Sequence, residues 1–148
     1  MIVVAGCLIV KDNKILMVKE GKKEIRGLWN LPAGGVDDNE LISSAAIREV
    51  YEETGCVVKL KSVLPISTVV LKNGLNILRI TFIAEMIEEN IKIDYDEIID
   101  VKWIEIDDIK NMTNKEIRGY DTILKTIDNY ENGKEFSLEI FENNICYR

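Results

Sequence analysis

The sequence predicts an α/β sandwich, and three observations point there. Apolar segments occur in pairs joined by short polar turns, which is the pattern of antiparallel hairpins. A stretch free of Gly and Pro, from Glu40 to Thr54, repeats its apolar residues at helical spacing. A second helical stretch, EIRGYDTILKTIDNY, precedes the C-terminus. The 148 residues, 47% of them hydrophobic, suffice for one core, and no repeat, low-complexity tract or linker divides them. One domain over residues 1–148 is expected.

The elements follow in order. VVAGCLIV and KILMVKE flank Lys11-Asp12-Asn13-Lys14, a polar centre suited to a tight turn, and are expected to pair as strands. KEGKKEIRG, residues 19 to 27, forms a charged loop, and WNLP leads on to the helix. Within that helix Ile42, Ala46 and Val50 lie on one face, and Gly55 stands where a left-handed C-terminal cap belongs. VVKLKSVLPISTVVL and LNILRITFIAEMI are separated by Lys72-Asn73-Gly74, in which Asn-Gly is a strong hairpin signal. Pro65 is expected at a bend or on an edge, since it cannot donate to a strand ladder. VKWIEI is expected to be a further strand, the second helix to end near Gly133, and FSLEIF to be a final strand.

Composition removes several function classes. The apolar runs are too short to cross a bilayer, and Met1 is not followed by a basic, apolar and cleavable leader, so a cytoplasmic protein without a membrane partner is expected. The net charge of −7 disfavours a nucleic-acid polymer as partner, because such binding neutralises phosphates with Lys and Arg. Cys7, Cys56 and Cys146 are odd in number and widely spaced, the usage of reduced thiols rather than of a disulfide framework. The chain has no histidine, which removes Ser-His and Cys-His nucleophiles and the usual zinc sites. Any metal chemistry has to use oxygen ligands.

LPAGGVDDNELISSAAIREVYEETG, residues 31–55, then poses a physical problem. On a helix Glu49, Glu52 and Glu53 stand at i, i+3 and i+4, so their carboxylates crowd one face. Repulsion costs roughly 0.2–0.5 kcal/mol per close pair unless a cation lies among them, and hard oxygen ligands suit Mg²⁺ or Mn²⁺. For an isolated RExxEE run the commoner reading is a solvated charged face. The surroundings of this run reverse that judgement.

Those surroundings resemble the Nudix hydrolase family, whose signature is G-x5-E-x7-R-E-U-x-E-E-x-G-U with U an aliphatic residue. Gly34, Glu40, Arg48, Glu49, Val50, Glu52, Glu53 and Gly55 match it at every spacing, and Cys56 stands in for the last aliphatic residue. The upstream WNLPAG and downstream VKWIEI are also similar to MutT-like members. The resemblance implies a Nudix-type α/β/α sandwich with a mixed central sheet, and metal-dependent hydrolysis of the pyrophosphate in a nucleoside diphosphate linked to some group X. It implies Mg²⁺ or Mn²⁺ bound by Glu52, Glu53, the backbone carbonyl near Ala33 and a later acid. Glu97, six residues before Trp103, is the choice for that acid, with Asp96 as the alternative. Glu49 is then either a further ligand or the base that deprotonates water. Arg48 and Glu40 are expected to be a structural pair, and Gly34 and Gly55 structural glycines. Asn39, where a Gly is frequent, and Leu41, where a Ser or Thr cap is usual, leave the loop conformation and the helix start open.

The remaining candidates concern the substrate, a small nucleoside diphosphate derivative handled by a monomer or homodimer. Lys19, Lys22, Lys23 and Arg26 offer phosphate contacts, with a solvated loop as the alternative, and Trp29 offers a stacking surface if it is not packed into the core. KEIRGLWNLPAGG is similar to the segment found in members that clean oxidised guanine nucleotides, while no Pro or Tyr occurs from Ile66 to Asp94, where ADP-sugar and diadenosine polyphosphate hydrolases carry markers. An isopentenyl diphosphate isomerase would need histidine ligands. A non-catalytic nucleotide or sugar-nucleotide sensor is the alternative function, and loss of box carboxylates would have favoured it.

Overall fold

Two hairpins and one parallel pairing build the sheet in a computed structural model that describes residues 1–143. β1 (Ile2–Lys11) turns into β2 (Lys14–Glu20) through Asp12 and Asn13, both at positive φ, which gives the backbone twist that a two-residue hairpin requires. β3 (Trp29–Asn30) and β8 (Ile98–Glu105) pair antiparallel with β2. β4 (Ala33–Gly35) and β7 (Asn76–Glu88) pair with β1, β7 in parallel from Ile2 opposite Ile77 to Ile9 opposite Ala84. β5 (Val57–Val63) and β6 (Ser67–Val70) pair antiparallel with β7. The sheet is therefore mixed.

Alternation along β1 supplies two cores. Ala5, Cys7 and Ile9 face α1 (Ile42–Thr54), meeting its Ala45, Ala46 and Val50 together with Ile80 and Phe82. Leu8, Ile15 and Met17 belong to the opposite core, against Ile106 and Ile109 of α2 (Ile106–Lys110) and Ile123 and Ile127 of α3 (Tyr120–Glu131). Helices on both faces make the α/β/α sandwich. α1 ends as expected, at Gly55 with φ +77°, where the Gly55 N–H donates to the Tyr51 carbonyl.

Several boundaries differ from the sequence reading. FSLEIF is not a strand: Phe136 makes a single bridge to Val63, and Leu138–Ile140 is a 3₁₀ turn. Ser137 explains the change, because its hydroxyl accepts from the Glu139 N–H and starts a turn where alternation alone predicts extension. α1 starts at Ile42, after Asn39 at φ +62° and with Leu41 providing no side-chain cap. The second long helix starts at Tyr120 instead of Glu116, because Ile117 is bridged to Trp29 and Gly119 adopts φ +60°. The segment around Pro65 splits into β5 and β6, while α2 has no counterpart in the sequence reading. Cys146 lies outside the described residues; Cys7 and Cys56 are buried free thiols.

Candidate active site

The loop before α1 is tied to the sheet by backbone contacts. Cys7 N–H donates to Pro32 O and Val36 N–H to Val3 O, and a Cβ at Gly6 would overlap Ala33, so only glycine lets the loop lie this close to β1. Ala33 N–H in turn donates to Glu53 Oε1 at 2.8 Å. Gly34 passes over Glu49 so tightly that any Cβ there would overlap the Glu49 carboxyl group. The glycine of the motif is thus a space requirement, with no positive φ involved.

Arg48 organises the crowded face. It grips Glu40 with two hydrogen bonds, Nε to Oε1 at 2.6 Å and Nη2 to Oε2 at 2.9 Å, and donates to Gly35 O at 3.0 Å. Its Nη1 reaches Glu49 Oε1 at 2.8 Å and Glu52 Oε2 at 3.1 Å. The expected Arg48–Glu40 pair is therefore present, and it extends to two further glutamates. Arg48 holds the Glu40 carboxyl below the usual carboxylate range, and the Asp37 N–H helps. Glu49 is pushed upward instead, chiefly by burial, against the opposing pull of Arg48.

Glu53 lies outside the reach of Arg48. Burial drives its carboxyl up to about 9, against the Ala33 N–H, and the fields of Glu20, Glu49 and Glu97 raise it further. Glu52, Glu53, Asp94, Glu97 and Ile98 line one open cleft of about 280 Å³. Glu97 reaches it because its own carbonyl accepts from the Gly21 N–H at 2.7 Å, and a Cβ on Gly21 would overlap the Asp96 carbonyl. Asp96 does not line the cleft. Lys22 stands 3.8 Å from Glu97, with both side chains more than half exposed, an ion pair worth little in water.

A larger depression of about 720 Å³ lies elsewhere, around Met112, Ile117 and the start of α3, and shares no lining residue with the carboxylate cleft. Of the other candidates, Lys23 and Arg26 are exposed on the turn after β2, and Arg26 Nη1 donates to Gly21 O at 3.2 Å. Neither lines the cleft. Trp29 is half-buried against the α3-side core, with Lys19 Nζ 5.2 Å from its ring centroid.

Three groups near the cleft escaped the sequence reading. Glu20 is buried and accepts from Asn30 Nδ2 at 3.1 Å and Arg118 Nη1 at 3.4 Å. Arg118 is held there by the loop it occupies, since Trp29 N–H donates to Glu116 O and Arg118 N–H to Trp29 O. Arg79, on β7, has Nε and Nη2 sealed from solvent and without partners among the described residues. A usable signal existed for Arg79, a charge inside the otherwise apolar strand segment LNILRITFI, whereas Glu20 ends its strand beside Lys19 and carries no such mark.

The residues fit a hard divalent cation by their chemistry. All candidate side-chain donors are carboxylate oxygens, and Glu53 is a half-buried acid with no cationic hydrogen-bond partner among the described residues. Among the described residues no three Asp, Glu or Cys side chains already stand at the spacing of a closed cage. Arg48 draws Glu49 and Glu52 to itself, and the remaining positions would be filled by water, as Mg²⁺ prefers.

The comparisons with known proteins agree with this architecture. The NUDIX domain model matches residues 1–125. The chain belongs to that family. A Methanocaldococcus jannaschii ADP-ribose pyrophosphatase is 32% identical over 127 residues, covering 85% of this chain and 72% of the relative. A putative nudix hydrolase 1 of Caenorhabditis elegans is 33% identical over 126 residues, 81% of this chain but only 33% of the relative, so the chain spans a third of that protein. A solved NUDIX hydrolase from Nitrosomonas europaea superposes with a TM-score of 0.87 at 28% identity, over 97% of each chain.

Proposed function

We propose that the protein hydrolyses the pyrophosphate bond of a nucleoside diphosphate linked to a second group, with Mg²⁺ or Mn²⁺ held by Glu52, Glu53 and Glu97 and by the Ala33 backbone. The observation that carries this reading is the cleft shared by Glu52, Glu53 and Glu97, in which Glu53 is a half-buried acid whose carboxyl is raised to about 9 and which has no arginine or lysine partner among the described residues. The divalent ion would neutralise phosphate charge and lower the pKa of a bound water.

The chain's own residues do the rest. Arg48 fixes Glu49 in one rotamer beside the cleft, and burial makes that carboxyl more basic than an ordinary one, which suits it to accept a proton from water. Glu40 locks Arg48 from behind, so the helix and the glycine loop move as one piece. The Gly21–Glu97 backbone bond ties the opposite wall to β2. No covalent intermediate is required.

An oxidised guanine nucleotide is the leading substrate, by the similarity of KEIRGLWNLPAGG to guanine-cleaning members, and ADP-ribose follows, by the name of the archaeal relative. The deciding experiment is a turnover screen over oxidised and normal nucleoside di- and triphosphates, dinucleotides and sugar nucleotides, with Mg²⁺, Mn²⁺ or chelator, reading phosphate, pyrophosphate and monophosphate. Turnover that needs the metal is expected. Tight nucleotide binding without turnover would establish a sensor instead, and full activity in chelator would remove the metal from the reading.

A further inference from the structure

Arg79 is an anomaly in energetic terms. A guanidinium stays charged in proteins, and leaving its donors sealed from water without acceptors costs more than any other arrangement of the same side chain. Yet Nε and Nη2 of Arg79 are in that state. Burial and the like charge of Arg118 both act against its charged form, while the fields of Glu53 and Glu20 support it. Neither acid bonds to it. Glu20 is engaged by Asn30 and Arg118, and Glu53 by the Ala33 N–H.

The unpartnered atoms are also the informative ones. Nε and Nη2 form one edge of the guanidinium fork, two parallel donors that match two oxygens of a phosphoryl group. Arg79 stands opposite Val4 in the β1–β7 register, two residues before Thr81, which pairs with Gly6. Gly6 is the residue against which Ala33 packs, so Arg79 and the metal-binding loop flank the same part of β1. Arg118 comes from the other side, on the loop pinned to Trp29. None of the three groups lines the carboxylate cleft itself, but Arg118 contacts Glu20 at 3.4 Å, and Arg79 lies within the fields of Arg118, of Glu20 and of the cleft's Glu53.

We propose that Arg79 and Arg118 form a subsite for a phosphoryl group of the substrate, making X itself anionic. This rests on the hydrolase reading and narrows its substrate class. The phosphoryl group has two sources: the terminal phosphate of a nucleoside triphosphate, or a phosphate ester on a sugar carried as X. In either case Arg79 would supply a bidentate grip and Arg118 the second positive charge, and both set specificity without touching the attacking water.

The test uses the full chain, first without metal and with inorganic pyrophosphate as the probe. In chelator, ¹H–¹⁵N spectra of the arginine side chains should show one protected Nε–H signal, absent from Arg79→Lys, that shifts saturably as pyrophosphate is added. Arg79→Lys and Arg118→Gln should each weaken that binding at least tenfold. With Mg²⁺, both variants should raise KM at least tenfold for substrates with a phosphoryl-bearing X while kcat stays within threefold. KM should move less than threefold for a nucleoside diphosphate linked to an uncharged sugar. Comparing a triphosphate with a sugar-phosphate substrate identifies the source. An Arg79 Nε–H that ignores pyrophosphate, or equal KM changes for charged and uncharged X, would overturn the subsite. If Arg79→Lys fails to fold, the wild-type spectrum and Arg118→Gln, whose side chain is half exposed, still decide. Absence of wild-type turnover would defeat the hydrolase reading alone, because pyrophosphate binding in chelator is measured independently.

Discussion

Gly34→Ala and Gly35→Ala add the same methyl group to adjacent residues of one short strand, with opposite expected outcomes. At Gly35 the new Cβ meets nothing within 4 Å, and φ is unexceptional, so the substitution should be neutral or up to about 1 kcal/mol stabilising through the unfolded chain. At Gly34 it overlaps the Glu49 carboxyl group. The carboxyl is the far end of a flexible side chain, so the clash is relieved by rotating Glu49 away, and the backbone need not move. That rotation breaks the 2.8 Å bond to Arg48, in a pair with side chains only 15% and 27% exposed, a charge-assisted contact worth about 1.5–3 kcal/mol. Relative to Gly35→Ala, the melting temperature of Gly34→Ala should therefore fall by about 3–12 °C, at roughly 2–4 °C per kcal/mol for a chain of this size. Turnover should fall at least about a hundredfold, the scale of a displaced proton acceptor, while Gly35→Ala keeps wild-type rates. Thermal melts and initial rates on the two variants make the comparison. Equal melting temperatures and equal rates would mean that Glu49 does not need its position under Gly34, and the account of the glycine as a space requirement would fail.

Three other outcomes are expected. Glu52→Gln should change the stability of the chelated protein by only a few tenths of a kcal/mol, since Glu52 is 56% exposed and its bond to Arg48 is screened; Mg²⁺ at a hundred times its dissociation constant should then stabilise wild type by about 2.7 kcal/mol and the variant much less. Equal metal-induced shifts in thermal melts would remove Glu52 from the site. Glu97→Gln should lower turnover at least about tenfold without unfolding, about 1.4 kcal/mol in transition-state terms, and an unaffected rate alongside a strong loss in Asp96→Asn would transfer the role. Burial pushes the Cys7 thiol up to about 12 from an ordinary 9, so the unfolded chain ionises first and the stability present below pH 9 is lost as pH rises from 9 toward 12. Measured by urea denaturation, the advantage of wild type over Cys7→Ala should shrink by about 2 kcal/mol between pH 8 and 10.5, and a constant gap would contradict the buried-thiol account.

What the sequence disclosed depended on the range of the interactions concerned. α1, its Gly55 cap and the Asp12-Asn13 turn are set by residues within a few positions of one another, and all three are where periodicity and turn chemistry place them. The start of α3 was misjudged because the competing partner, Trp29, lies 88 positions from Ile117 and no local pattern announces it. FSLEIF failed for the opposite reason: a local serine turn overrode a correct alternation. In the site, the Nudix signature located Glu49, Glu52 and Glu53 but could not show that Arg48 engages two of them and leaves the third alone. Glu20, Arg79 and Arg118 come from β2, β7 and the loop before α3, and only the folded sheet brings them together.

That division among the acids gives the crowding its physical meaning. Like charges on one helix face are a modest burden, and Arg48 offsets it for Glu49 and Glu52 while Glu40 holds Arg48 in place. A fold selected for stability alone would treat Glu53 similarly. Instead Glu53 is half-buried, with the Ala33 N–H as its one hydrogen-bond donor among the described residues, and its carboxyl rises to about 9. Across β1 from that loop, Arg79 keeps two buried donors without acceptors among the described residues. The two groups feel each other's field, so a direct pair would relieve both, and the structure does not form it. Under the function proposed above one ligand would serve both: a phosphoric anhydride with its divalent ion would bring a cation to Glu53 and anionic oxygens to Arg79. The charges left unpaired in the protein are complementary to those of the substrate class proposed here.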